Sequence, residues 1–387
     1  MLTRKHLGFY EVNGNIYRNK TMALSVCKDG HYPHWNFNED VFDKVDWTTE
    51  PSEDLYEIYK QRALQLRAKY DYLVLYFSGG IDSTTVLRSF VDNDIPLDAV
   101  IAYGRHINNA EGKKSNPEIN NSAIPYIKRL EKSLNIKIPF ILLDDWDLFK
   151  NYTDESWIYT GNGGTLSPET YIYNFHADVP QIQEILSKGK TALIRGVDKP
   201  RMRYDKSTDR WAFQLLDKQT GGFHTSGLSE YKNTWYEVEY FFWTRDLPKL
   251  LVKQAHIIKN YFTQKNDPVL RDQLFSNLVA GFRHTEYYKW IDPLVYGRYI
   301  PGQLPGQSRT YFSMLKSSVV NAMDKDQVFL QLGDKQNVDV WKRGIQFVHD
   351  AIDHRFMDGK DSEGWVSLES FIKNGFTGSW SKPYYLN

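Results

Sequence analysis

The sequence predicts an α/β fold built on a parallel sheet with helices on both faces, and three observations support this. Short, nearly continuous apolar segments alternate with amphipathic segments from Leu73 to about Gly196. Such alternation is typical of βα units, because a parallel strand that is buried on both faces is apolar along its length. The alternation stops after Gly196, where helical patterns dominate. We therefore expect a Rossmann-like sheet domain, a small N-terminal α+β segment and a mostly helical C-terminal domain.

The N-terminal segment, residues 1–70, is predicted to begin with a hairpin. Asn13-Gly14 separates two alternating runs, and this dipeptide favours a type I′ turn. A helix capped by Ser52 is predicted to follow, with acids in its first turn. Its apolar residues recur on one face and are Leu55, Tyr59, Ala63 and Leu66.

The sheet domain is predicted to cover residues 71–215. Its strands are expected at 72–77, 98–103, 138–143 and 191–197, and its helices at 83–93, 123–135 and 179–189. Right-handed crossovers would wind these units into one sheet. Ligands are then expected at the carboxyl ends of the strands.

The C-terminal domain, residues 216–387, is predicted to be mostly helical. A hairpin that turns over residues 206–209 precedes it, and Pro248 and Pro268 are placed as helix starts. Further helical patterns cover 309–323 and 338–356. The Gly- and Pro-rich stretch at 291–309 predicts an ordered loop or a substrate lid instead of a helix.

Composition excludes several classes of protein. Lys+Arg and Asp+Glu are equal at 48 each, so no net charge draws the chain onto nucleic acid or an anionic membrane. Cys27 is the only cysteine, which excludes an internal disulfide, a multi-cysteine zinc site and an iron–sulfur cluster. No apolar run approaches the roughly 18 residues of a membrane span. We expect a cytoplasmic protein.

The stretch "FSGGIDSTT", residues 77–85, carries the motif with the clearest chemistry. Gly79 and Gly80 remove side chains from a strand-to-helix turn, so that backbone N–H groups can converge on an anion at the positive end of the helix dipole. The hydroxyl donors around it are Ser78, Ser83 and Thr84. Asp82 could bind a Mg²⁺ ion that bridges phosphate oxygens. A turn capped by Asp82 would explain the aspartate, but neither the serines nor both glycines.

The residues "SGGIDS", from Ser78 to Ser83, match the SGGxDS loop of the PP-loop N-type ATP pyrophosphatases, and the chain resembles that superfamily. The resemblance implies the adenine nucleotide alpha hydrolase (HUP-type) version of a Rossmann-like fold, with ATP and Mg²⁺ as cofactors. It also implies cleavage of ATP to AMP and pyrophosphate. A substrate oxygen attacks the α-phosphorus to give an adenylate, and a nucleophile, usually ammonia or an amine, then displaces AMP.

The resemblance implies roles for residues that match by their place in the βα series. Such proteins usually seat adenine near the backbone of Ala102 and Tyr103. Glu118 is a candidate contact to magnesium or ribose, and equally a first-turn helix acid. After the fourth strand, Asp198 and Lys199 are the candidate catalytic residues, the acid for positioning a metal or nucleophile and the lysine for charge in the transition state. The alternative for both is a simple turn.

A basic cluster spans residues 195–206. Its members are Arg195, Lys199, Arg201, Arg203 and Lys206. They could hold a phosphate or a carboxylate, and the cluster is where a nucleic-acid substrate would bind. A solvated hairpin face is the alternative.

Within the superfamily the chain looks most like the synthetase half of an asparagine synthetase-like protein, including members encoded by tailed bacteriophages, which would place it in the host cytoplasm. Leu2 stands where a glutaminase would expose its cysteine, so no glutaminase is expected within the chain. Three functions are weighed: an AMP-forming ligase acting on a carboxylate or amide, an enzyme that adenylates a nucleobase carbonyl, and a nucleotide-binding protein without turnover. A second copy of the chain or a separate ammonia-supplying protein is left open as a partner.

Overall fold

The computed structural model of the chain has an α/β fold in which helices flank an all-parallel sheet, as the sequence predicts. It describes residues 7–28, 31–104, 116, 118–159, 166, 168, 172–196, 201–217, 236–276, 284–299, 304–306 and 329–386. None of the helices in these ranges combines the length and the apolar character that crossing a membrane requires.

The N-terminal segment forms a three-stranded antiparallel sheet with the order β2-β1-β3. Its elements are β1 (Phe9–Val12), β2 (Asn15–Tyr17), α1 (Lys20–Ser25), β3 (His34–Asn36) and α2 (Glu39–Phe42). Asn13 and Gly14 connect β1 to β2 with φ angles of 50° and 78°. Both angles are positive, as the predicted type I′ turn requires.

The strands that follow belong to two further sheets. They are β4 (Tyr72–Tyr76), β5 (Ala99–Gly104), β6 (Phe140–Asp144), β7 (Thr191–Arg195), β8 (Arg201–Asp205), β9 (Arg210–Gln214), β10 (Tyr236–Tyr240) and β11 (Tyr384–Tyr385). Five of them form the central parallel sheet, in the order β10-β7-β4-β5-β6. Strand β10 was not foreseen, and it lies beyond residue 215, in the segment assigned to the C-terminal domain.

Nine further α-helices lie within the described residues. They are α3 (Leu55–Lys69), α4 (Ile81–Val91), α5 (Ile124–Leu134), α6 (Pro180–Leu186), α7 (Lys249–Lys265), α8 (Pro268–Phe275), α9 (His284–Tyr296), α10 (Lys335–Ala351) and α11 (Leu368–Asn374). Pro268 is the first residue of α8, as predicted, and Pro248 caps α7. The predicted helix at 309–323 lies outside the described residues.

The predicted cap of α3 is wrong. Asp54, not Ser52, precedes the helix, and its carboxylate accepts a hydrogen bond of 2.8 Å from the Tyr56 nitrogen. An aspartate at this position also interacts favourably with the helix dipole.

The predicted loop that begins at Ile291 is wrong over its first part, because α9 continues through Pro293 to Tyr296. Val295 and Tyr296 are fully buried, and the Tyr59 hydroxyl donates a 2.9 Å hydrogen bond to the Val295 carbonyl. Packing against α3 therefore outweighs the cost of a proline inside a helix.

The predicted hairpin over residues 206–209 is confirmed as β8 and β9, which pair antiparallel. Strand β11, at the end of the chain, adds to β9. Behind this small sheet, the buried Lys20 ammonium lies 2.6 Å from Asp217 and also donates to the Thr377 carbonyl. These two contacts tie the N-terminal segment to the residues after β9 and to the C-terminal part of the chain.

Candidate functional site: the carboxyl edge of the parallel sheet

The strand order places a topological switch point between β4 and β7. The chain passes from the central strand β4 to β5 and β6 on one side, and then crosses to β7 on the other side of β4. In open α/β sheets, ligands bind outside the carboxyl ends of the strands where the winding direction reverses. The residues that follow β4, 77–83, lie at this point, and we call them the glycine loop.

Gly79 of the glycine loop approaches the chain that precedes α5. Its φ is +72°, and a Cβ atom at this position would lie 2.5 Å from the Ala123 nitrogen and 2.7 Å from the Ser122 hydroxyl oxygen. The buried Ser122 hydroxyl donates a 2.6 Å hydrogen bond to the Gly79 carbonyl. Only glycine fits a position with both this φ and this contact.

Gly196, directly after β7, approaches the loop from the opposite side of the switch point. A Cβ atom at this residue would lie 3.1 Å from the Ser83 nitrogen and 3.2 Å from the Asp82 carbonyl carbon. The end of β7 is therefore packed against the first turn of α4. The backbone after β7 and the backbone before α5 therefore both approach the glycine loop.

The first turn of α4 presents backbone amides at this convergence. The cap residue is Gly80, which has no side chain that could cap the helix. The Thr84 nitrogen donates a 2.9 Å hydrogen bond to the Gly80 carbonyl. The N–H groups before Thr84 precede this bond, and such groups have no partner within their own helix. They lie at the positive end of the helix dipole, which favours an anion.

Hydroxyl groups hold the loop through long hydrogen bonds. The Ser83 hydroxyl donates to the Gly80 carbonyl at 3.1 Å and accepts from the Ser78 nitrogen at 3.3 Å. The Gly80 nitrogen donates to the Ser78 hydroxyl at 3.4 Å. Bonds of this length are weak. Because the Ser78 and Gly80 nitrogens donate to hydroxyls and not to carbonyls, an anion can replace these two acceptors at little cost.

Thr84 lies in the same turn and is fully buried. Among the described residues, its hydroxyl oxygen has no hydrogen-bond partner. Buried polar groups are normally satisfied, so this one marks the start of α4 as a place where a polar partner fits.

Asp82 is the second residue of α4 and is half-buried. Burial raises the pKa of the Tyr59 phenol well above its usual range, and the Asp82 carboxylate is close enough to raise it further. The described residues contain no cluster of three or more metal-binding side chains. One carboxylate together with phosphate oxygens is nevertheless a donor set with which Mg²⁺ is commonly bound.

Arg195, at the end of β7, brings a cation to this edge. It is 6 % exposed, and its guanidinium carbon lies 3.5 Å from the centre of the Tyr76 ring. Burial raises the pKa of the Tyr76 phenol, whereas the charge of Arg195 lowers it. The guanidinium is thus fixed beside the last residue of β4, directly before the glycine loop.

Two other residues of the predicted basic cluster, Arg201 and Lys206, already contact neighbouring side chains. Arg201 is buried and donates a 2.7 Å hydrogen bond to the Tyr288 hydroxyl. The Lys206 ammonium lies 2.6 Å from the Asp272 carboxylate. Lys199, and with it the other predicted catalytic residue Asp198, lies outside the described residues.

Ala102 and Tyr103 lie within β5, near its carboxyl end. The Ile101 carbonyl accepts a 2.7 Å hydrogen bond from the Phe77 nitrogen, so the Ile101 peptide points toward β4. Because peptide groups alternate in direction along a strand, the Tyr103 backbone N–H and C=O also face the β4 side of β5. At this level β4 has ended and the glycine loop has begun. Ala102 is fully buried and its backbone points toward β6. Glu118 precedes the helical turn that contains Ser122.

Two residues of this edge were missed by sequence reasoning. Asp145 directly follows β6, and its carboxylate lies 3.5 Å from the Nε2 atom of His176. Both side chains are almost completely buried. An aspartate directly after an apolar strand is a signal that could have identified Asp145. His176 lies more than thirty residues later, and nothing local connects the two.

No protein-family model matches the chain, and no match is found among the curated proteins.

Proposed function

We propose that the chain is an ATP-dependent, AMP- and pyrophosphate-forming ligase with the HUP-type version of the Rossmann-like fold. The observation that carries the proposal is the close backbone packing at the switch point, where Gly196 contacts the first turn of α4 and Gly79 contacts the segment that precedes α5. Two glycines that both allow close backbone approach there favour a loop that binds phosphate through N–H groups. The SGGxDS sequence at Ser78–Ser83 supports pyrophosphate as the bound group.

In the proposed reaction, an oxygen of a carboxylate or amide substrate attacks the α-phosphorus of ATP. The bond between that phosphorus and the oxygen bridging to the β-phosphate breaks, and pyrophosphate leaves. Ammonia or an amine then attacks the activated carbonyl carbon, loses a proton, and AMP leaves. The N–H groups at the start of α4 and the hydroxyls of Ser78 and Ser83 would bind the pyrophosphate, where negative charge accumulates.

Asp82 is the residue that would hold Mg²⁺ against these phosphates. The ion would supply neutralisation of the phosphate charge. Arg195, fixed on the Tyr76 ring, would add a positive charge at the same edge without reorganisation. Asp198 and Lys199 keep their predicted roles as metal- or nucleophile-positioning acid and as cation for the transition state.

The alternative in which the substrate is a nucleobase in RNA is less well supported. Binding a polynucleotide needs several exposed cations, and its affinity falls steeply with salt. In the predicted basic cluster, Arg195 and Arg201 are buried and Lys206 is paired with Asp272. The third function, nucleotide binding without turnover, predicts that ATP binds but that no substrate elicits pyrophosphate release.

ATP–pyrophosphate exchange tests these functions together. Labelled pyrophosphate should enter ATP in the presence of one pool among amino acids, other carboxylates, nucleosides and tRNA. Asp82→Asn should reduce the exchange at least about 100-fold, because the metal-binding carboxylate is lost. Asp94→Asn makes the same chemical change at an exposed residue beyond the other end of α4, where φ is 55°, and should leave exchange unchanged. Exchange that needs tRNA and disappears at raised salt would favour the nucleobase alternative.

A further inference from the structure

Asp145 is an unusual carboxylate for the interior of a protein. It is 0 % exposed, and within the described residues neither of its side-chain oxygens accepts a hydrogen bond. The Nε2 atom of His176 lies 3.5 Å from the carboxylate, beyond good hydrogen-bond distance. Removing an ordinary polar group from water without a hydrogen bond costs several kcal/mol, and an ionised carboxylate costs more. A purely structural residue would be expected to have donors around it.

Two tyrosine rings pack against His176, the neighbour of Asp145. The His176 ring is 4.9 Å from the Tyr103 ring and 5.8 Å from the Tyr76 ring, and it is nearly parallel to Tyr76. Tyr103 is only half-buried, so this group reaches the surface through it. Flat aromatic faces beside a carboxylate suit a flat molecule that carries an N–H donor.

The position also fits the scale of a nucleotide. Asp145 follows β6, which is two strands away from β4 in the sheet. Neighbouring strands are about 4.8 Å apart, so the end of β6 lies about 10 Å from the glycine loop. That is the scale of the nucleoside part of ATP. A nucleotide with its phosphates on the glycine loop and its base beside Tyr103 would therefore bring the edge of the base toward Asp145.

We propose that Asp145 is the residue that selects adenine, by accepting a hydrogen bond from the 6-amino group of the base. The inference rests on the proposed function, because it assumes that the glycine loop holds the phosphates of a nucleotide. An ionised carboxylate has only acceptors. It pairs with the amino group of adenine and opposes the 6-oxo group of hypoxanthine or guanine, which is itself an acceptor. The site would thus reject the oxo bases by leaving two acceptors face to face.

The wild-type protein provides the first measurement, since ATP and ITP differ at position 6 of the base. Binding of ATP and of ITP, each with Mg²⁺, should be compared by calorimetry. We expect ATP to bind about 10- to 100-fold more tightly, the range of one hydrogen bond to a charged group. If neither nucleotide binds, the proposed function itself fails. If both bind equally, the proposed function survives and the role of Asp145 is overturned.

A substitution then assigns the selection to Asp145. Asp145→Asn offers both a donor and an acceptor, so ATP and ITP should bind within about three-fold of each other. The matched control is Asp147→Asn, the same change at an exposed aspartate two residues later, which should keep the wild-type preference. If Asp145→Asn also keeps the wild-type preference, another group reads the base and the inference is wrong.

Discussion

Gly196 and Ser83 belong to different βα units, yet a Cβ atom at Gly196 would lie only 3.1 Å from the Ser83 nitrogen. This contact joins the end of β7 to the first turn of α4 across the switch point. It leaves no room for a side chain between the strand and the backbone amides that we propose to bind phosphate. The proposed phosphate site therefore depends on a residue more than a hundred positions from the SGGxDS motif.

Replacing Gly196 tests this dependence. In Gly196→Ala the added methyl group must push the start of α4 by a few tenths of an ångström, because its neighbours are backbone atoms. We expect affinity for Mg²⁺–ATP to fall at least about ten-fold, since the amides are displaced from the phosphates. Gly297→Ala is the matched control, because a Cβ there meets nothing within 4 Å. Equal affinities for both variants would show that Gly196 does not shape the nucleotide site.

Gly79 should be less tolerant of substitution than a glycine with the same backbone angle in open space. Gly79→Ala places a side chain at a φ of +72° and 2.5 Å from the Ala123 nitrogen. Gly14→Ala faces a similar φ of +78° but no neighbouring atom. From urea unfolding we expect Gly14→Ala to lose about 1 kcal/mol and Gly79→Ala about 3 kcal/mol, the difference being overpacking. Similar losses in the two variants would mean that the loop relaxes freely.

The lowered pKa of Glu239 predicts that the fold loses stability at low pH. Burial tends to raise the pKa of this carboxyl, but Arg62 at 2.7 Å and Lys69 outweigh it and lower the pKa from an ordinary 4.5 to about 2. A carboxyl with a lowered pKa in the folded state stabilises the fold above its unfolded pKa. That contribution, about 3 kcal/mol, is lost as the pH falls from about 4.5 to 2.

The free energy of unfolding should therefore be measured at pH 6 and pH 3 for the wild type and for Glu239→Gln. We expect the wild type to lose more stability between these values than the variant, since glutamine cannot be protonated in this range. The exposed Glu363→Gln should behave like the wild type. If the wild type and Glu239→Gln show the same pH dependence of stability, the pKa of Glu239 is not lowered in the folded protein.

The buried ion pair between Lys20 and Asp217 predicts that substitutions of the two residues have strongly non-additive effects on the free energy of unfolding. Asp217 also accepts hydrogen bonds from the Tyr10 hydroxyl and the Ser379 nitrogen, at 2.7 Å and 2.9 Å. Lys20→Met should cost about 3–5 kcal/mol, because it leaves a buried carboxylate without its cation. The double variant with Asp217→Leu should cost less than the sum of the two single changes. Additive losses in urea unfolding would mean that the pair contributes little.

Local patterns predicted much of this fold. The Asn13-Gly14 turn, four central strands and the hairpin over residues 206–209 follow from signals contained within a few residues. Strand β10 was missed because Glu237 and Glu239 interrupt its apolar pattern. Glu239 is buried only because Arg62 and Lys69, far away in the sequence, provide its counter-charges. The helix through Pro293 likewise depends on a distant partner, Tyr59.

In the candidate site, too, some residues could be predicted from local sequence and others depend on contacts between distant segments. The glycine loop could be recognised from consecutive residues, because its chemistry is carried by backbone and short hydroxyl side chains. The roles of Gly196 and Ser122 could not, since each depends on a contact between segments that only the fold brings together. The same holds for the group formed by Asp145, His176 and Tyr103.

The position of the phosphates of a bound nucleotide tests the central claim most directly. A crystal structure of the protein with Mg²⁺ and α,β-methylene-ATP should show the β- and γ-phosphate oxygens within hydrogen-bond distance of the N–H groups at the start of α4 and of the Ser78 and Ser83 hydroxyls. An analogue bound elsewhere, with the glycine loop closed by its own hydrogen bonds as it is here, would contradict the account.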